Sequence, residues 1–128
     1  MTTAATPLDA QGLPVGYNFR PDWEVTPRQL KAMLADGADL LLIDCRLPGE
    51  HQLCRIEGAT LVPVQEAPQR LPELAEHANR RTIVYCHHGV RSMRMTGLLR
   101  QAGFTDAKSM AGGIDLWSLA VDPAVPRY

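Results

Sequence analysis

Short apolar runs alternate with amphipathic segments along most of this chain. Three aliphatic or β-branched runs predict buried strands at Leu40–Asp44, Ala59–Val62 and Thr82–Tyr85, and Ala107–Met110 is predicted as a fourth strand. Apolar residues three or four apart predict five helices: one from Pro27 that Gly37 ends, one at Pro48–Leu53, a long one marked by Leu71–Ala78, one that runs to Gln101 and one from Gly112-Gly113 to Leu119. This alternation is typical of an α/β domain with a mostly parallel sheet and helices on both faces.

The first helix carries the clearest start signal. Thr26 is expected to be its N-cap, Pro27 its first residue, and Gln29 the partner that closes a capping box. Its buried face is expected to consist of Leu30, Met33 and Leu34. By contrast, residues 1–20 contain several glycines and prolines without periodicity, which predicts a flexible N-terminal arm before a folded domain at 21–128.

Composition narrows the function classes. A chain of 128 residues fits one domain, and its net charge of −1 gives no reason to expect binding to nucleic acid or membranes. The segment after Met1 has no secretory apolar stretch, and the three cysteines are an odd number. We therefore expect a cytoplasmic protein whose cysteines stay reduced.

The most informative stretch is Tyr85–Ser92. Cys86 follows a predicted buried strand, Gly89 lies in the short loop behind it, and Arg91 stands where a helical pattern begins. Backbone amides of such a loop and helix start point at the loop centre and favour an anion there. A free cysteine is only roughly 3% thiolate at pH 7, and about 2.7 kcal/mol of preferential stabilisation would make the thiolate dominant. The pattern favours a nucleophile over the alternative, a small buried apolar residue.

Metal binding is the weaker interpretation of the same stretch. Cys86, His87 and His88 are consecutive, whereas zinc ligands come in spaced pairs, and no second such pair follows. We therefore expect no metal and no cofactor.

Several motifs together resemble a single-domain rhodanese, a sulfurtransferase of the rhodanese-like superfamily. Leu42–Arg46 is similar to the family's strand end, Glu50–Pro63 to its second signature, Cys86–Arg91 to its active-site loop, and Gly112–Trp117 to its closing signature. The resemblance implies a three-layer fold with a five-stranded sheet over 21–128. It also makes Cys86 and Arg91 catalytic, with His87, His88, Gly89, Val90 and Ser92 in the substrate loop and Asp44 and Arg46 supporting them.

The implied reaction moves a sulfane sulfur, from thiosulfate or a persulfide, through a Cys86 persulfide to a thiol or cyanide-like acceptor, with a sulfur-relay protein as a further possible partner. Two alternatives stay open: a non-catalytic protein-binding module, and a sulfur carrier. Phosphatases and arsenate reductases related to this fold have five residues in the loop, whereas four separate Cys86 from Arg91, which suits a sulfur atom better than phosphate.

The residues expected near Cys86 can also be interpreted without the resemblance. Asp44 ends an apolar strand and needs a partner, for which Arg46 and Arg91 are the candidates. Gly89 is expected to supply a positive φ or a close amide approach. His87 and His88 are expected to be exposed loop residues rather than proton shuttles. Cys45 and Cys54 are expected to be packing residues, with a resolving thiol as the alternative.

Overall fold

The computed structural model describes residues 7–128. Five strands form one sheet in the order β1-β5-β4-β2-β3, and every pairing in it is parallel. The strands are β1 (Glu24–Val25), β2 (Leu40–Asp44), β3 (Thr60–Leu61), β4 (Arg81–Tyr85) and β5 (Ala107–Met110). The α/β class and the five-stranded parallel sheet are therefore confirmed.

Five α-helices connect and cover the strands: α1 (Pro27–Ala35), α2 (Pro48–Leu53), α3 (Ala67–Leu74), α4 (Val90–Gln101) and α5 (Gly113–Ala120). On one sheet face, residues of α3 and α4 pack on Ile43 and Val84, and on the other, residues of α1 and α5 pack on Leu42 and Ile83. The predicted helices on both faces are confirmed. Among residues 7–128, no helix is long and apolar enough to cross a membrane.

Helix α1 begins as predicted. The Gln29 amide donates to the Thr26 hydroxyl at 3.0 Å, and the Gln29 side chain accepts from the Thr26 amide at 2.8 Å. Leu30 is fully buried, but the expectation for Leu34 is wrong, because it is 37% exposed. It lies at the rim of an open surface cleft that Trp117 and Val125 also line.

The predicted long helix around Leu71–Ala78 is also corrected. Helix α3 starts earlier and ends at Leu74, and a 3₁₀ turn follows over Ala75–His77. Pro72 lies inside this helix and lacks the N–H that would bond to the carbonyl of residue 68.

Part of the predicted arm contacts the domain. Leu13 is 1% exposed and packs with Ala111 and Leu116, and the Tyr17 hydroxyl hydrogen-bonds to Glu24. These two contacts differ from the loose arm that the sequence predicts for residues 1–20. Residues 1–6 of that arm lie outside the part of the chain that the structure describes. A domain boundary at residue 21 stays a prediction.

Candidate active site

Cys86 lies directly after the central strand β4, at the carboxyl end of the sheet, where parallel α/β sheets usually bind ligands. The chain then makes a short loop and enters α4 at Val90. Gly89 has φ +109°, in the left-handed region that favours glycine, which fits the positive φ expected from the sequence.

Two backbone N–H donors and the Ser92 hydroxyl group surround the Cys86 sulfur. The backbone N–H of Gly89 lies 3.0 Å from Sγ and that of Ser92 lies 3.3 Å away, and the Ser92 hydroxyl oxygen is 3.4 Å from it. The Ser92 hydroxyl also lies 2.7 Å from that of Ser109 on β5. Sequence reasoning missed Ser109, for which the only signal was a small polar residue inside a predicted strand.

This environment makes the Cys86 thiol acidic. The neighbouring Cys45 thiol, followed by hydrogen bonds from Ser92 and Gly89, outweighs the effect of burial and lowers the pKa of Cys86 to about 5. The neighbouring Cys86 sulfur and burial raise the pKa of Cys45. A lowered pKa favours the thiolate form of Cys86 at neutral pH.

Helix α5 holds the loop from the other side. The Ile114 amide donates to the Cys86 carbonyl at 2.8 Å, and the Asp115 amide donates to the His87 carbonyl at 3.1 Å. A Cβ on Gly113 would lie 2.3 Å from the His87 carbonyl oxygen, so only glycine allows this approach. Because both carbonyls bond to α5, the loop backbone is fixed while its amides face the sulfur.

Arg91 forms a bidentate ion pair with Glu50, at 2.6 Å and 3.0 Å. Arg91 was one of the two candidate partners predicted for Asp44, and this pairing is wrong, because Arg91 pairs with Glu50. The hydrogen bond from Arg91, aided by one from Tyr128, outweighs burial and lowers the pKa of Glu50 to about 2. The available signal for Glu50 was its place at the start of the second signature.

Asp44 instead pairs with Arg46, the other candidate. Both side chains are fully buried, and the two contacts measure 2.8 Å and 2.7 Å. Nδ1 of His51 lies 2.8 Å from Asp44 Oδ2. Burial alone would raise the pKa of Asp44, but hydrogen bonds from Arg46 and His51 outweigh it and lower that pKa.

Tyr128 joins these two ion pairs. Its hydroxyl accepts from Arg46 Nη1 at 2.9 Å and donates to Glu50 Oε2 at 2.5 Å. Its ring stacks on His87 with a centroid distance of 3.9 Å and an interplanar angle of 5°. Sequence reasoning missed Tyr128, because it follows the last recognisable motif and no local pattern marks it.

The rest of the loop is open to solvent to different degrees. Val90 is 80% exposed, and His88 is exposed with its Nδ1 3.9 Å from Asp115. His87 is partly buried rather than exposed, because the Tyr128 ring covers it. Burial, together with the neighbouring His88, lowers the pKa of His87. Among residues 7–128, no three His, Cys, Asp or Glu side chains are placed to hold a metal.

Residues 26–120 match the family model of the rhodanese-like domain. The chain belongs to that family. Among curated relatives, this rhodanese-like domain is 36% identical over 109 residues to the probable adenylyltransferase/sulfurtransferase MoeZ of Mycobacterium tuberculosis, covering 81% of this chain and 26% of the relative. It is 33% identical to a sulfurtransferase of Allochromatium vinosum, covering 74% of this chain and 87% of the relative.

Solved structures of sulfurtransferases are also similar to this chain. A thiosulfate sulfurtransferase from Pseudomonas aeruginosa matches with a TM-score of 0.70 and 30% identity, over 78% of this chain and 19% of that one. A human single-domain sulfurtransferase matches with a TM-score of 0.63 and 27% identity, over 73% and 93%. The rhodanese-like domain thus spans about a quarter of the MoeZ relative and most of the single-domain ones. These relatives support a sulfurtransferase role in general.

Proposed function

We propose that this rhodanese-like domain transfers sulfane sulfur through a persulfide on Cys86. The observation that carries the proposal is the ring of donors around Sγ, with the Gly89 and Ser92 amides at 3.0 Å and 3.3 Å. The thiolate is the nucleophilic form of cysteine, and a pKa of about 5 keeps Cys86 in that form at neutral pH. The same amides are placed to stabilise negative charge on a sulfur bound there.

The reaction has two displacement steps. The Cys86 thiolate attacks the sulfane sulfur of the donor, and the bond between that sulfur and the rest of the donor breaks. Its electron pair leaves as sulfite from thiosulfate, or as a thiolate from a persulfide. A thiol or cyanide acceptor then attacks the outer sulfur of the Cys86 persulfide, and the bonding pair returns to Cys86 as its thiolate.

We favour a persulfide over thiosulfate as the donor. Thiosulfate is a dianion, yet Arg91 is already paired with Glu50, and His87 has a lowered pKa. Asp115 adds a carboxylate near His88. The loop itself therefore offers a donor little unpaired positive charge, and a small-molecule or protein-borne persulfide needs less of it.

Kinetics between pH 6 and 8.5 test this choice. In the wild type, kcat/KM should be higher for a cysteine persulfide than for thiosulfate, and thiosulfate use should improve toward pH 6 as His87 begins to gain charge. The His87→Ala/His88→Ala variant should lose that improvement. Efficient thiosulfate use that survives the double substitution at every pH would contradict the donor assignment.

We also place the reaction in a reducing, cytoplasmic setting, since all three cysteines are free thiols. A sulfur-relay protein is the partner class that fits a persulfide carrier. The four-residue loop supports sulfur over phosphate chemistry, so hydrolysis of aryl phosphates should be negligible.

Intact-protein mass spectrometry tests the persulfide itself. Brief exposure to a cysteine persulfide, followed at once by analysis, should add one sulfur atom to the wild type and to Cys54→Ala, and peptide mapping should locate it on Cys86. Cys86→Ser should gain none. Sulfur addition to Cys86→Ser, or mapping to another cysteine, would overturn the proposal.

A further inference from the structure

Cys45 and Cys86 occupy matching positions after two adjacent strands. The register pairs Asp44 with Tyr85 at the ends of β2 and β4, and the Cys45 amide extends that ladder by donating to the Tyr85 carbonyl at 3.0 Å. Both cysteine side chains belong to the same core cluster, on the same sheet face. Adjacent strands lie about 4.8 Å apart, which is inside the Cα separation of about 4.4–6.8 Å that a disulfide spans.

The two thiols share the core cluster on one sheet face. Cys45 is fully buried and Cys86 is 1% exposed, so solvent reaches neither side chain freely. An acceptor must reach the outer sulfur of a Cys86 persulfide from the loop mouth, whereas Cys45 faces Cys86 from the interior. Displacement at a sulfur needs the nucleophile opposite the leaving group, and an approach from the core cluster that holds Cys45 is suited to an outer sulfur that points to the loop mouth.

We propose that Cys45 attacks the inner sulfur of the Cys86 persulfide when no acceptor is present, which releases sulfide and forms a Cys45–Cys86 disulfide. The inference rests on the proposed function, because it starts from the persulfide. It gives the domain a second activity, the release of sulfide from sulfane sulfur. A small-molecule thiol or dithiol then reduces the disulfide and returns both cysteines to the thiol form.

The step balances within the protein. The Cys45 sulfur forms a bond to the Cys86 sulfur, the bond from Cys86 to the outer sulfur breaks, and its electron pair leaves with that sulfur. The persulfide reacts as its anion: Cys45 loses one proton as it forms the bond, and the departing sulfur takes up one proton from the surrounding water, so that HS⁻ leaves. The two cysteines are oxidised to the disulfide, and the sulfane sulfur is reduced to sulfide. In the reduced protein the neighbouring Cys86 sulfur and burial raise the pKa of Cys45. Persulfide formation takes the negative charge off the inner sulfur, which removes part of that effect and makes the Cys45 thiolate easier to form.

Cys54 provides a matched control inside the same chain. It is also buried, but its sulfur lies 3.8 Å from Arg46 Nη1 and belongs to the core cluster on the opposite sheet face. The sheet therefore separates Cys54 from Cys86, and Cys54 is not placed for the displacement.

The experiment is done anaerobically, so that oxygen cannot make the disulfide. The protein is treated with a cysteine persulfide, freed of donor and incubated without acceptor while released sulfide is trapped with monobromobimane. The wild type and Cys54→Ala should release one sulfide per chain and end two hydrogen atoms lighter than the reduced protein. Digestion without reductant should yield a Cys45 peptide linked to the Cys86 peptide.

The Cys45→Ala and Cys45→Ser variants should keep the persulfide and release no sulfide. A wild-type persulfide as stable as theirs would overturn the inference and leave the proposed function standing. If the outer sulfur is found on Cys45, the inference is also overturned, because Cys45 has then attacked the outer sulfur of the persulfide instead of the inner one. If no persulfide forms on Cys86 at all, the proposed function itself fails. The wild-type peptide map decides the question even if the Cys45 variants do not fold.

Discussion

Arg91 and Glu50, 41 residues apart in sequence, form a two-pronged ion pair that ties the first turn of α4 to α2. The two N–H groups of the guanidinium match the two oxygens of the carboxylate, so the pair fixes the orientation of both side chains as well as neutralising their charges. Its side chains are 34% and 19% exposed, which places it at the surface beside the Cys86 loop. We infer that it positions the start of α4, whose amides face Cys86.

A double-mutant cycle of Arg91→Lys and Glu50→Gln tests this pairing. Lys keeps the charge but loses the fork, and Gln keeps the shape but loses the charge, so the two changes should couple by about 1 kcal/mol in urea unfolding. Sulfur transfer should also slow in each single variant. The exposed pair Arg70–Glu73, changed in the same way, should couple by less than about 0.5 kcal/mol. Strict additivity at Arg91 and Glu50 would contradict the pairing.

The pH dependence of stability follows from the lowered pKa of Glu50, about 2 against an ordinary 4.5. A carboxylate whose pKa is depressed on folding stabilises the protein above its unfolded pKa and loses that contribution as pH falls through the folded one. The stability gap between wild type and Glu50→Gln should therefore be full above pH 4.5 and shrink toward pH 2. A gap that does not narrow over this window would show that Glu50 is not the ionised partner.

Several helices, strands and loops could be predicted from the sequence because local signals mark them. The capping box at Thr26, the run Leu40–Asp44 and the loop after Cys86 are each specified by residues close together in the chain. Strand β1 was missed because two residues cannot show an alternating pattern.

The partners of the site residues were harder to predict. Arg91 could be assigned to Asp44 or left to solvent on sequence grounds alone, because Glu50 comes close only through the packing of α2 on the loop. Tyr128 and Ser109 approach the site through the fold, from segments without a motif. Spatial neighbours that are distant in sequence leave no local pattern, so the choice between them needed the structure.

Asp44→Asn should be among the most damaging polar substitutions in this chain. It leaves the Arg46 guanidinium fully buried without a counter-charge, which costs about 3–5 kcal/mol of unfolding free energy. The half-exposed pair of Asp106 with Arg81 is the control, and Asp106→Asn should cost less than about 1 kcal/mol. Equal costs in denaturant unfolding would mean that burial of the Asp44 pair does not matter.

Gly113→Ala tests the contact between α5 and the loop. The added methyl group would meet the His87 carbonyl at 2.3 Å, so the loop must shift and both stability and the rate of sulfur transfer should fall. Gly97→Ala is the matched control, since no atom outside its own helix lies within 4 Å of the new methyl group. That change should leave transfer unchanged and raise stability by up to about 1 kcal/mol. Equal transfer rates in the two variants would contradict a loop held by α5.

The acidity of Cys86 is measured by iodoacetamide alkylation against pH. Rapid labelling should follow an apparent pKa of about 5 in the wild type and in Cys54→Ala. Cys45→Ala removes the largest contribution to that acidity, so its apparent pKa should be higher, and Ser92→Ala should shift it in the same direction. A wild-type value near the free thiol's, about 8.5, would show that the loop does not stabilise the thiolate.

The central claim is that Cys86 carries the transferred sulfur, and single-turnover transfer of a labelled outer sulfur tests it most directly. Wild-type protein is loaded from a persulfide with a radiolabelled sulfane sulfur, freed of donor and mixed at once with cyanide. The account predicts that one labelled thiocyanate forms per chain while the protein returns to its unmodified mass, and that Cys86→Ser carries no label. Label that stays on the protein, or that passes to cyanide from Cys86→Ser, would contradict it.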